Sequence, residues 1–398
     1  MNVTIHPKAL HGAVTAPPSK SHVHRLLIAA ALSSGKTAIH CPGENADIDA
    51  TVRCLRALGA EIQAKDAHWI VTSPVKGGAG DALDCGESGS TLRFLLPLCA
   101  ALNGSCTLTG SGRLPSRPNG PLLDALRGHG ANIQGDFLPM AVNGGLQAGA
   151  YALPGNVSSQ YFTGLLIALP LLSGDSTLVY TSPLESMPYV DVTLSVLKQF
   201  GIQIETLDNG WRIPGNQAYV SPGTVNAEGD WSAAAFWLGA NALGSAVTVN
   251  GLNPASCQGD KAITKLLAQI GGEIDVTDTP DLMPILSAVA AAISDKTTRI
   301  IGAARLRLKE SDRLSAMAET IRALGGKVEE LPDGLIIHGT RLRGGTVDGH
   351  NDHRVVMSAA IAATVCEGPV TILGAEAVNK SYPDFWKDFE ALGGCSDG

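Results

Sequence analysis

Basic and hydroxyl side chains stand together at the start of several apolar segments of the sequence. Lys20, Ser21 and Arg25 open "SKSHVHRLLIAAAL", and Ser90 and Arg93 lie in "ESGSTLRFLLPLCAAL". Arginine forms paired hydrogen bonds with phosphate and carboxylate groups, and lysine adds a compact positive charge. Residues of these types at these places predict a site for small anions.

Two carboxylates lie in comparable places and could supply acid or base chemistry. Asp281 precedes an apolar segment, and Glu310 lies with Lys309 and Arg313 in "LRLKESDRL". Each carboxylate also has a simpler interpretation. Asp281 could only cap a helix, and Glu310 with Arg313, three residues apart, could be a surface ion pair worth under ~1 kcal/mol.

The histidines and cysteines indicate no metal site. His22 and His24 have no cysteine or carboxylate partner in the pattern, and we interpret His353 as a core or capping residue with a supporting role. The eight cysteines include no C-x-x-C pair and no metal-ligand spacing. We therefore expect reduced and mostly buried thiols.

The "GKT" at residues 35–37 resembles the end of a nucleotide-binding P-loop. That motif requires a glycine at position 30, where this chain has Ala30 inside a predicted helix, so the sequence disfavours a nucleotide-dependent kinase. Gly35 is then a helix stop. The start of this helix is the better anion site, because first-turn N–H groups and the helix dipole attract anions.

A short phrase recurs six times along the chain. Each copy ends a predicted helix, carries a glycine at the helix C-terminus and leads into a predicted strand. The six glycines are Gly59, Gly130, Gly201, Gly271, Gly325 and Gly393. A second, apolar helix with a polar start alternates with this phrase, beginning near residues 19, 87, 158, 229, 280 and 351. We interpret the chain as six similar repeats.

Six repeats predict two domains of three repeats each, because 398 residues are too many for one core. One helix of each repeat is apolar on most sides, so we expect these helices at the centre of each domain. Runs such as "HWIVTSPV" and "GLIIHGT" predict strands. If the polar helix starts face one interdomain cleft, that cleft would attract anions.

Charge and hydropathy exclude several classes of protein. A net charge of −8 argues against a nucleic-acid-binding protein. No apolar run reaches the ~18 residues of a membrane span, and the apolar runs 162–172 and 282–293 predict buried helices. Residues 1–10 lack the apolar core of a signal peptide. We therefore expect a cytoplasmic enzyme.

The motifs "PPSKS…R", "SSQY", "KESDR", "NDHR" and "KSYPDF" together resemble those of the EPSP synthases, a branch of the enolpyruvyl transferase family, and run in the expected order. The resemblance implies an α/β (α+β) fold of two similar domains. Each domain would have three βαβαββ repeats with buried parallel helices, an inside-out α/β barrel, and the active site would lie in an interdomain cleft. The implied domains are residues 1–17 plus 228–398, which form a discontinuous domain, and residues 18–227.

The reaction implied by this resemblance transfers the enolpyruvyl group of phosphoenolpyruvate to the 5-hydroxyl of shikimate 3-phosphate, on the route to chorismate and the aromatic amino acids. Addition and elimination need an acid, a base and positive charge. The resemblance implies no cofactor and no metal. The implied partners are the two small anions, without nucleic acid or membrane, and the architecture suits a monomer.

The resemblance also implies roles for individual residues. Asp281 would be the base on the 5-hydroxyl, Glu310 the proton donor to the methylene carbon, and Lys20 would contact both substrates, with the division of labour among these three left open. The residues implied to bind shikimate 3-phosphate are Lys20, Ser21, Arg25, Ser158, Ser159, Gln160, Ser186, Asp281 and Lys309. The residues implied to bind phosphoenolpyruvate are Lys20, Gly89, Arg93, Arg117, Gln160, Arg313, Arg354 and Lys380.

Three positions depart from the family pattern. Glu87 and Arg305 stand where relatives often have asparagine, and Phe94 stands where some have proline. A carboxylate near a bound phosphate is unfavourable unless a cation neutralises it, so we expect Glu87 to pair with Arg93 or Arg305. Gly89 is the small residue expected in glyphosate-inhibited forms, and the inhibition it predicts is weakened by Glu87 and Phe94.

Two other functions stay open. A UDP-N-acetylglucosamine enolpyruvyl transferase would share the fold and the donor, but that family usually has a cysteine where this chain has Gly112, five residues before Arg117. A non-catalytic anion-binding protein of the same fold would keep the arginines and lose Asp281 or Glu310. Both carboxylates are present.

Overall fold

Two units make up the chain. A computed structural model, which describes residues 1–43, 45–77, 79–102 and 104–397, divides it into Met1–Ser19 with Glu228–Gly398, and Lys20–Ala227. We call the first the split unit and the second the continuous unit. The split unit begins with the strands β1 (Asn2–His6) and β2 (His11–Thr15).

The continuous unit holds six helices and twelve strands within its described residues. The helices are α1 (Lys20–Leu32), α2 (Ala46–Ala57), α3 (Gly89–Ala101), α4 (Gly120–Gly128), α5 (Ser159–Ala168) and α6 (Met187–Gln199). The strands are β3 (Thr37–His40), β4 (Glu61–Lys65), β5 (His68–Ser73), β6 (Ala79–Asp84), β7 (Ser105–Thr109), β8 (Ile133–Gln134), β9 (Met140–Val142), β10 (Ala150–Leu153), β11 (Ser176–Tyr180), β12 (Glu205–Leu207), β13 (Gly210–Ile213) and β14 (Thr224–Asn226).

These strands form three four-stranded sheets, ordered β14-β3-β5-β4, β6-β7-β9-β8 and β10-β11-β13-β12. In the second sheet β6 and β7 are parallel and joined through α3, while β9 is antiparallel to both β7 and β8. This order along the chain, strand, helix, strand, helix and two strands, is the predicted βαβαββ repeat.

The apolar helices lie at the core because they have no face suited to water. Every described residue of α3 except Ser90 and Ala101 is buried, and α5 is buried from Tyr161 to its end. The alternate helices are amphipathic: α2 buries Ile48, Val52 and Leu55 at helical spacing and exposes Arg53 and Arg56.

The split unit continues with helices and strands of the same kinds. The helices are α7 (Trp231–Ala242), α8 (Ile263–Leu266), α9 (Met283–Ala292), α10 (Arg313–Ala323), α11 (His353–Ala363) and α12 (Phe385–Ala391). The strands are β15 (Ala246–Asn250), β16 (Glu273–Asp275), β17 (Thr297–Ile301), β18 (Lys327–Leu331), β19 (Gly334–His338), β20 (Gly345–Asp348), β21 (Val370–Leu373) and β22 (Cys395–Asp397).

Its sheets are β16-β17-β19-β18, β20-β21-β1-β22 and the two-stranded β15-β2. Strand β1 therefore completes a sheet whose other strands come from the end of the chain. The apolar helices α7, α9 and α11 pack against one another at the core of this unit. Among the described residues, no helix has the length and hydropathy needed to cross a membrane.

The six predicted glycines all adopt positive φ, between 81° and 100°. A left-handed residue after a helix suits glycine because it has no Cβ, so this prediction is confirmed. The predicted strands "HWIVTSPV" and "GLIIHGT" are β5 and β19.

One repeat departs from the expected pattern. The amphipathic helix expected before Gly271 is only the four-residue α8 with a 3₁₀ turn on each side, Gly259–Ala262 and Leu267–Gln269. This repeat is also shorter than the others, and its sheet has only two strands.

Candidate active site

The predicted anion-binding residues of the continuous unit lie at the starts of its helices. Lys20 is the first residue of α1, Gly89 of α3 and Ser159 of α5. Ser158 caps α5 by accepting a hydrogen bond from the Gln160 N–H at 3.3 Å. Hydroxyl residues at these places satisfy N–H groups that the helix itself leaves unpaired.

Arg25 is a buried cation held by uncharged oxygens. Its Nε donates to Thr193 Oγ1 at 2.7 Å, and its terminal nitrogens donate to Thr163 Oγ1 and to the carbonyls of Ser21 and Tyr189. No carboxylate among the described residues pairs with it. Burial lowers the pKa of Arg25 to about 9, which means that the site disfavours the positive charge unless an anion arrives.

Arg117 is also buried, and its Nε has no hydrogen-bond partner within the described parts of the chain. Its guanidinium lies against the start of α3, since a Cβ added to Gly89 would be 2.8 Å from one terminal nitrogen. A side chain at this position would require the guanidinium to move. A charged group with an unpaired buried N–H next to a helix N-terminus is arranged to bind an anion.

Arg93 connects the starts of α3 and α5. Its guanidinium donates to Gln160 Oε1 at 2.8 Å and to Asn119 Oδ1 at 3.0 Å. Gln160 in turn donates to Ser90 Oγ at 2.9 Å. The structure thus brings together two predicted phosphoenolpyruvate residues, Arg93 and Gln160, and orients Arg93 through Asn119, which was not predicted from the sequence.

Lys20 forms an ion pair with Asp47, Nζ to Oδ2, at 2.8 Å, and both side chains are largely buried. Asp47 was not predicted from the sequence. The available signal was an acidic residue in the first turn of α2, but acids are common there because they complement the helix dipole.

Ser186 adopts a left-handed conformation, with φ 59°, immediately before α6. Its side chain does not cap the helix, so its backbone strain is not explained by capping. Strain of this kind commonly marks a functional position. Tyr189 contributes its carbonyl to Arg25.

The carboxylate of Glu87 lies beside Gly112, where an added Cβ would be 2.5 Å from it. Phe94 is buried in α3 and its ring lies under the Arg25 guanidinium, at 4.9 Å from the ring centroid. The expected pairing of Glu87 with Arg93 or Arg305 stays a prediction.

In the split unit, four predicted site residues form one ion-pair network. Arg313, only 1% exposed, binds Asp281 Oδ1 at 2.9 Å and Glu310 Oε2 at 2.7 Å. Arg354 binds the other Asp281 oxygen, Oδ2, at 2.9 Å and the Asp281 carbonyl at 3.1 Å. Asp281 is therefore held from two sides by arginines.

A third carboxylate, Asp352, also binds Arg313 and is itself fully buried. Its Oδ2 accepts from Arg313 Nε at 2.8 Å and from Ser311 Oγ at 3.0 Å. Its Oδ1 caps α11 by accepting from the Arg354 N–H. No role was predicted for Asp352 from the sequence, although it lies in the "NDHR" motif.

The simpler interpretations of the carboxylates are wrong. Asp281 lies in the 3₁₀ turn Pro280–Leu282 and does not cap α9, which has no side-chain cap. The Glu310–Arg313 pair is not at the surface, because Arg313 is buried. His353 is buried in the core, and Asp352 is the capping residue.

The protonation states follow from these contacts. Burial raises the pKa of Asp281, but Arg354, Lys309 and Arg313 outweigh it and hold the pKa well below its usual range. Burial also raises the pKa of Asp352, but Arg313 lowers it through its charge and its hydrogen bond, so the pKa lies below its usual value. Both carboxylates are ionised at neutral pH.

Two further predicted site residues, Lys309 and Lys380, and the departing residue Arg305 also belong to the split unit. Lys309 follows the 3₁₀ turn Ala304–Leu308 and acts electrostatically on Asp281. Lys380 donates to the Asn351 carbonyl at 2.7 Å, and Arg305 donates to the Thr277 carbonyl at 2.8 Å. Among the described residues, no group of three or more His, Cys, Asp or Glu side chains could hold a metal ion.

Comparisons with known proteins agree with this arrangement. The sequence model of the family "EPSP synthase (3-phosphoshikimate 1-carboxyvinyltransferase)" matches residues 5–283 and 271–389. A 3-phosphoshikimate 1-carboxyvinyltransferase from Clostridium novyi is 42% identical and covers 100% of this chain and 98% of its own length. Another, from Halobacterium salinarum, is 40% identical over 100% of both chains.

Solved structures show the same fold. An EPSP synthase from Acinetobacter baumannii has a TM-score of 0.83 and 27% identity, with 100% of both chains covered. The enolpyruvyl transferase NikO from Streptomyces tendae has a TM-score of 0.80 and 20% identity, covering 100% of this chain and 98% of its own, which shows the fold alone. The family match and the relatives of about 40% identity show that this chain belongs to the EPSP synthase family.

Proposed function

We propose that this chain transfers the enolpyruvyl group of phosphoenolpyruvate to the 5-hydroxyl of shikimate 3-phosphate, giving 5-enolpyruvylshikimate 3-phosphate and phosphate. The family membership supports this reaction. The structural observation that carries it is the pair of buried guanidinium groups, Arg25 and Arg117, that no carboxylate of the described residues neutralises. Both substrates carry a phosphate and a carboxylate that could supply the missing charge.

The continuous unit would bind the anionic groups. Arg25 with Ser21, Ser158, Ser159 and Ser186 would hold shikimate 3-phosphate, because a phosphate accepts several hydrogen bonds from arginine and hydroxyl groups. Arg117, Arg93 and Gln160 near Gly89 would hold phosphoenolpyruvate at the start of α3, where helix N–H groups add to the positive potential. Lys20 would contact both substrates.

The split unit would supply the proton chemistry. Asp281, kept ionised by its arginines, would accept the proton of the 5-hydroxyl as that oxygen bonds to the C2 carbon of phosphoenolpyruvate. Glu310 would donate a proton to the methylene carbon, giving a tetrahedral adduct. In the elimination step Glu310 would take a proton back from the new methyl group, the C2–O bond to phosphate would break as the carbon–carbon double bond re-forms, and the proton held by Asp281 would pass to the departing phosphate. Lys309 would contact shikimate 3-phosphate, and Arg313, Arg354 and Lys380 would neutralise phosphoenolpyruvate.

The test is phosphate release from phosphoenolpyruvate in the presence of a chelator. We expect release with shikimate 3-phosphate and none with UDP-N-acetylglucosamine. The Asp281→Asn variant should still bind both substrates in calorimetry but turn over about 10²–10⁴-fold more slowly, the usual contribution of a general base.

Other outcomes would contradict the proposal in different ways. Release only with the sugar nucleotide would assign the chain to the other enolpyruvyl transfer reaction. Binding without release from either acceptor would favour the non-catalytic anion-binding protein. Full turnover by Asp281→Asn would remove Asp281 from the scheme but leave the reaction assigned.

We further infer a cytoplasmic monomer that binds no nucleic acid. The net charge of −8 supports the last point, because nucleic-acid-binding proteins usually carry a basic excess. Light scattering should give a mass near 41.1 kDa with or without substrates. A mass near twice that value would contradict the monomer.

A further inference from the structure

A buried carboxylate outside the predicted site lies behind Arg354. Asp260 belongs to the 3₁₀ turn Gly259–Ala262 and is 4% exposed. Its Oδ2 accepts a short hydrogen bond from the Ser232 hydroxyl. The oxygen of that same hydroxyl accepts from an Arg354 terminal nitrogen at 3.0 Å. These contacts form one continuous chain of hydrogen bonds from Asp260 through Ser232 and Arg354 to Asp281, and we call this chain the line.

Chemistry sets the direction of each bond in this line. Arginine has five N–H donors and no acceptor, so the Ser232 oxygen accepts from Arg354 and the Ser232 hydrogen points elsewhere. An ionised Asp260 takes that hydrogen and holds the hydroxyl with a lone pair toward Arg354. A protonated Asp260 could donate instead, and the hydroxyl would then no longer be fixed as an acceptor.

The line acts on the nitrogen of Arg354 that also binds the proposed base. This nitrogen, Nη2, donates to Ser232 Oγ at 3.0 Å and to Asp281 Oδ2 at 2.9 Å. Its two N–H bonds therefore point in two defined directions. If the Ser232 anchor is lost, the guanidinium can rotate about its remaining contacts with Asp281.

We propose that Asp260 is a positioning residue of the reaction, which fixes the Arg354 guanidinium through the Ser232 hydroxyl. The inference rests on the proposed function, because Arg354 and Asp281 are residues of that reaction. Asp260 touches neither substrate in this scheme. Its contribution is to hold Arg354 in the orientation that binds phosphoenolpyruvate, since small errors in orientation are costly in catalysis.

The charges around Asp260 make this role depend on pH. Burial and the negative charges of Asp281 and Asp230 raise the pKa of Asp260, while Arg354 and Ser232 lower it, and the result is about 6. The neighbouring Lys261 ammonium donates to the Ser256 carbonyl. The line is therefore complete above pH 6, where Asp260 is ionised, and is interrupted below it.

Two variants interrupt the line at different atoms. Asp260→Asn keeps the shape and removes the charge, and Ser232→Ala removes the hydroxyl. We expect each to raise the KM for phosphoenolpyruvate about tenfold, the effect of one lost hydrogen bond, and to change the KM for shikimate 3-phosphate less than about threefold. The double variant should be no worse than the poorer single variant, because both changes break the same line.

The pH profile separates positioning from general stability. The ratio of wild-type to Asp260→Asn kcat/KM for phosphoenolpyruvate should fall toward one as the pH drops from 7.5 to 5. Taking the ratio cancels the titration of the substrate's own phosphate. A purely structural role for Asp260 would leave this ratio independent of pH.

Asp388 provides a matched control in the same unit. There the Trp237 Nε1–H donates to Tyr382 Oη at 3.3 Å, and Tyr382 Oη donates to Asp388 Oδ2 at 2.6 Å. This is the same order of N–H, hydroxyl and carboxylate, and burial likewise raises the pKa of Asp388. Asp388→Asn should leave both KM values and the pH profile unchanged.

The two ideas fail in distinguishable ways. If wild type releases no phosphate, the proposed function fails, and calorimetric binding of phosphoenolpyruvate to the same variants still tests the positioning role. If wild type turns over and both Asp260→Asn and Ser232→Ala match it in KM and pH profile, the positioning role is overturned and the function stands. Equal losses in Asp388→Asn would also overturn it.

Discussion

At the scale of single residues, the arginines fall into two groups according to their partners. Arg313 and Arg354 are bound to carboxylates, whereas Arg25 and Arg117 have no carboxylate partner among the described residues. A buried cation without a partner is costly, so the second group is arranged to receive an anion. The first group holds carboxylates in place for proton transfer.

Arg117→Lys tests the group that receives the anion. Lysine keeps the charge but cannot form paired hydrogen bonds. We expect the KM for phosphoenolpyruvate to rise about 10- to 100-fold, which corresponds to losing a charge-assisted hydrogen bond of about 1.5–3 kcal/mol. Steady-state kinetics with each substrate varied in turn measures this.

Arg127→Lys is the matched control, because Arg127 lies at the surface of the same unit and pairs with the exposed Asp136. It should not change either KM. An Arg117→Lys enzyme with wild-type kinetics would show that the unpaired guanidinium is not a substrate contact.

At the scale of elements, the apolar helices pack closely enough for polar side chains near their N-termini to form hydrogen bonds with one another. Helices α3 and α5 are in contact, and the Arg93–Gln160 hydrogen bond links them. Gly164 permits this approach. A Cβ at Gly164 would collide with the Arg93 carbonyl and would lie 3.0 Å from Pro97 Cγ.

Gly164→Ala should therefore destabilise the protein, because the crowding backbone cannot move aside as a flexible side chain could. We expect a loss of about 1–3 kcal/mol in the free energy of unfolding, typical of overpacking. Urea denaturation measures it. The control is Gly120→Ala in α4, where an added Cβ meets nothing within 4 Å, and where we expect no loss of stability. Equal stability of Gly164→Ala and wild type would show that α3 and α5 separate easily.

At the scale of the whole molecule, two buried carboxylates have pKa values that are shifted in opposite directions. Both contribute to how the stability of the protein depends on pH. Burial disfavours the charge of both Asp352 and Asp260, but Arg313 reverses this effect at Asp352 only. A lowered pKa means that the native state gains stability above the unfolded value of 3.8 and loses it as the pH falls toward the native pKa. A raised pKa has the reverse effect, so that Asp260 costs stability as the pH rises from 3.8 to about 6.

Asp352→Asn should thus cost about 3–5 kcal/mol near pH 7.5, the usual loss on breaking a buried ion pair. The difference from wild type should shrink at pH 3.5, because the unfolded state begins to bind a proton at Asp352 just below its pKa of 3.8, whereas the native state does not. Asp260→Asn should change stability in the opposite direction near pH 7.5. Urea denaturation at pH 7.5, 5 and 3.5 measures both, and a pH-independent difference for Asp352→Asn would contradict the assigned cause.

Much of the architecture follows from the sequence because its signals are local. Six glycines after helices, six apolar helices with polar starts and the strands between them are patterns within a few residues, and backbone sterics and hydropathy decide them. Residue types at the helix starts likewise predicted Lys20, Arg25 and Arg93 as anion-binding candidates. The exception, the short α8, lies where the repeat itself is truncated.

The side-chain partners were decided only by the tertiary structure. Asp281 meets Arg313 and Arg354, which lie 32 and 73 positions further along the chain, and Ser232 meets Arg354 across 122 positions. Such contacts depend on how distant helices and turns pack, which no local pattern specifies. The sequence by itself therefore determined the repeats and the residue types at the helix starts, and packing decided which of these residues are paired and which remain available for an anion.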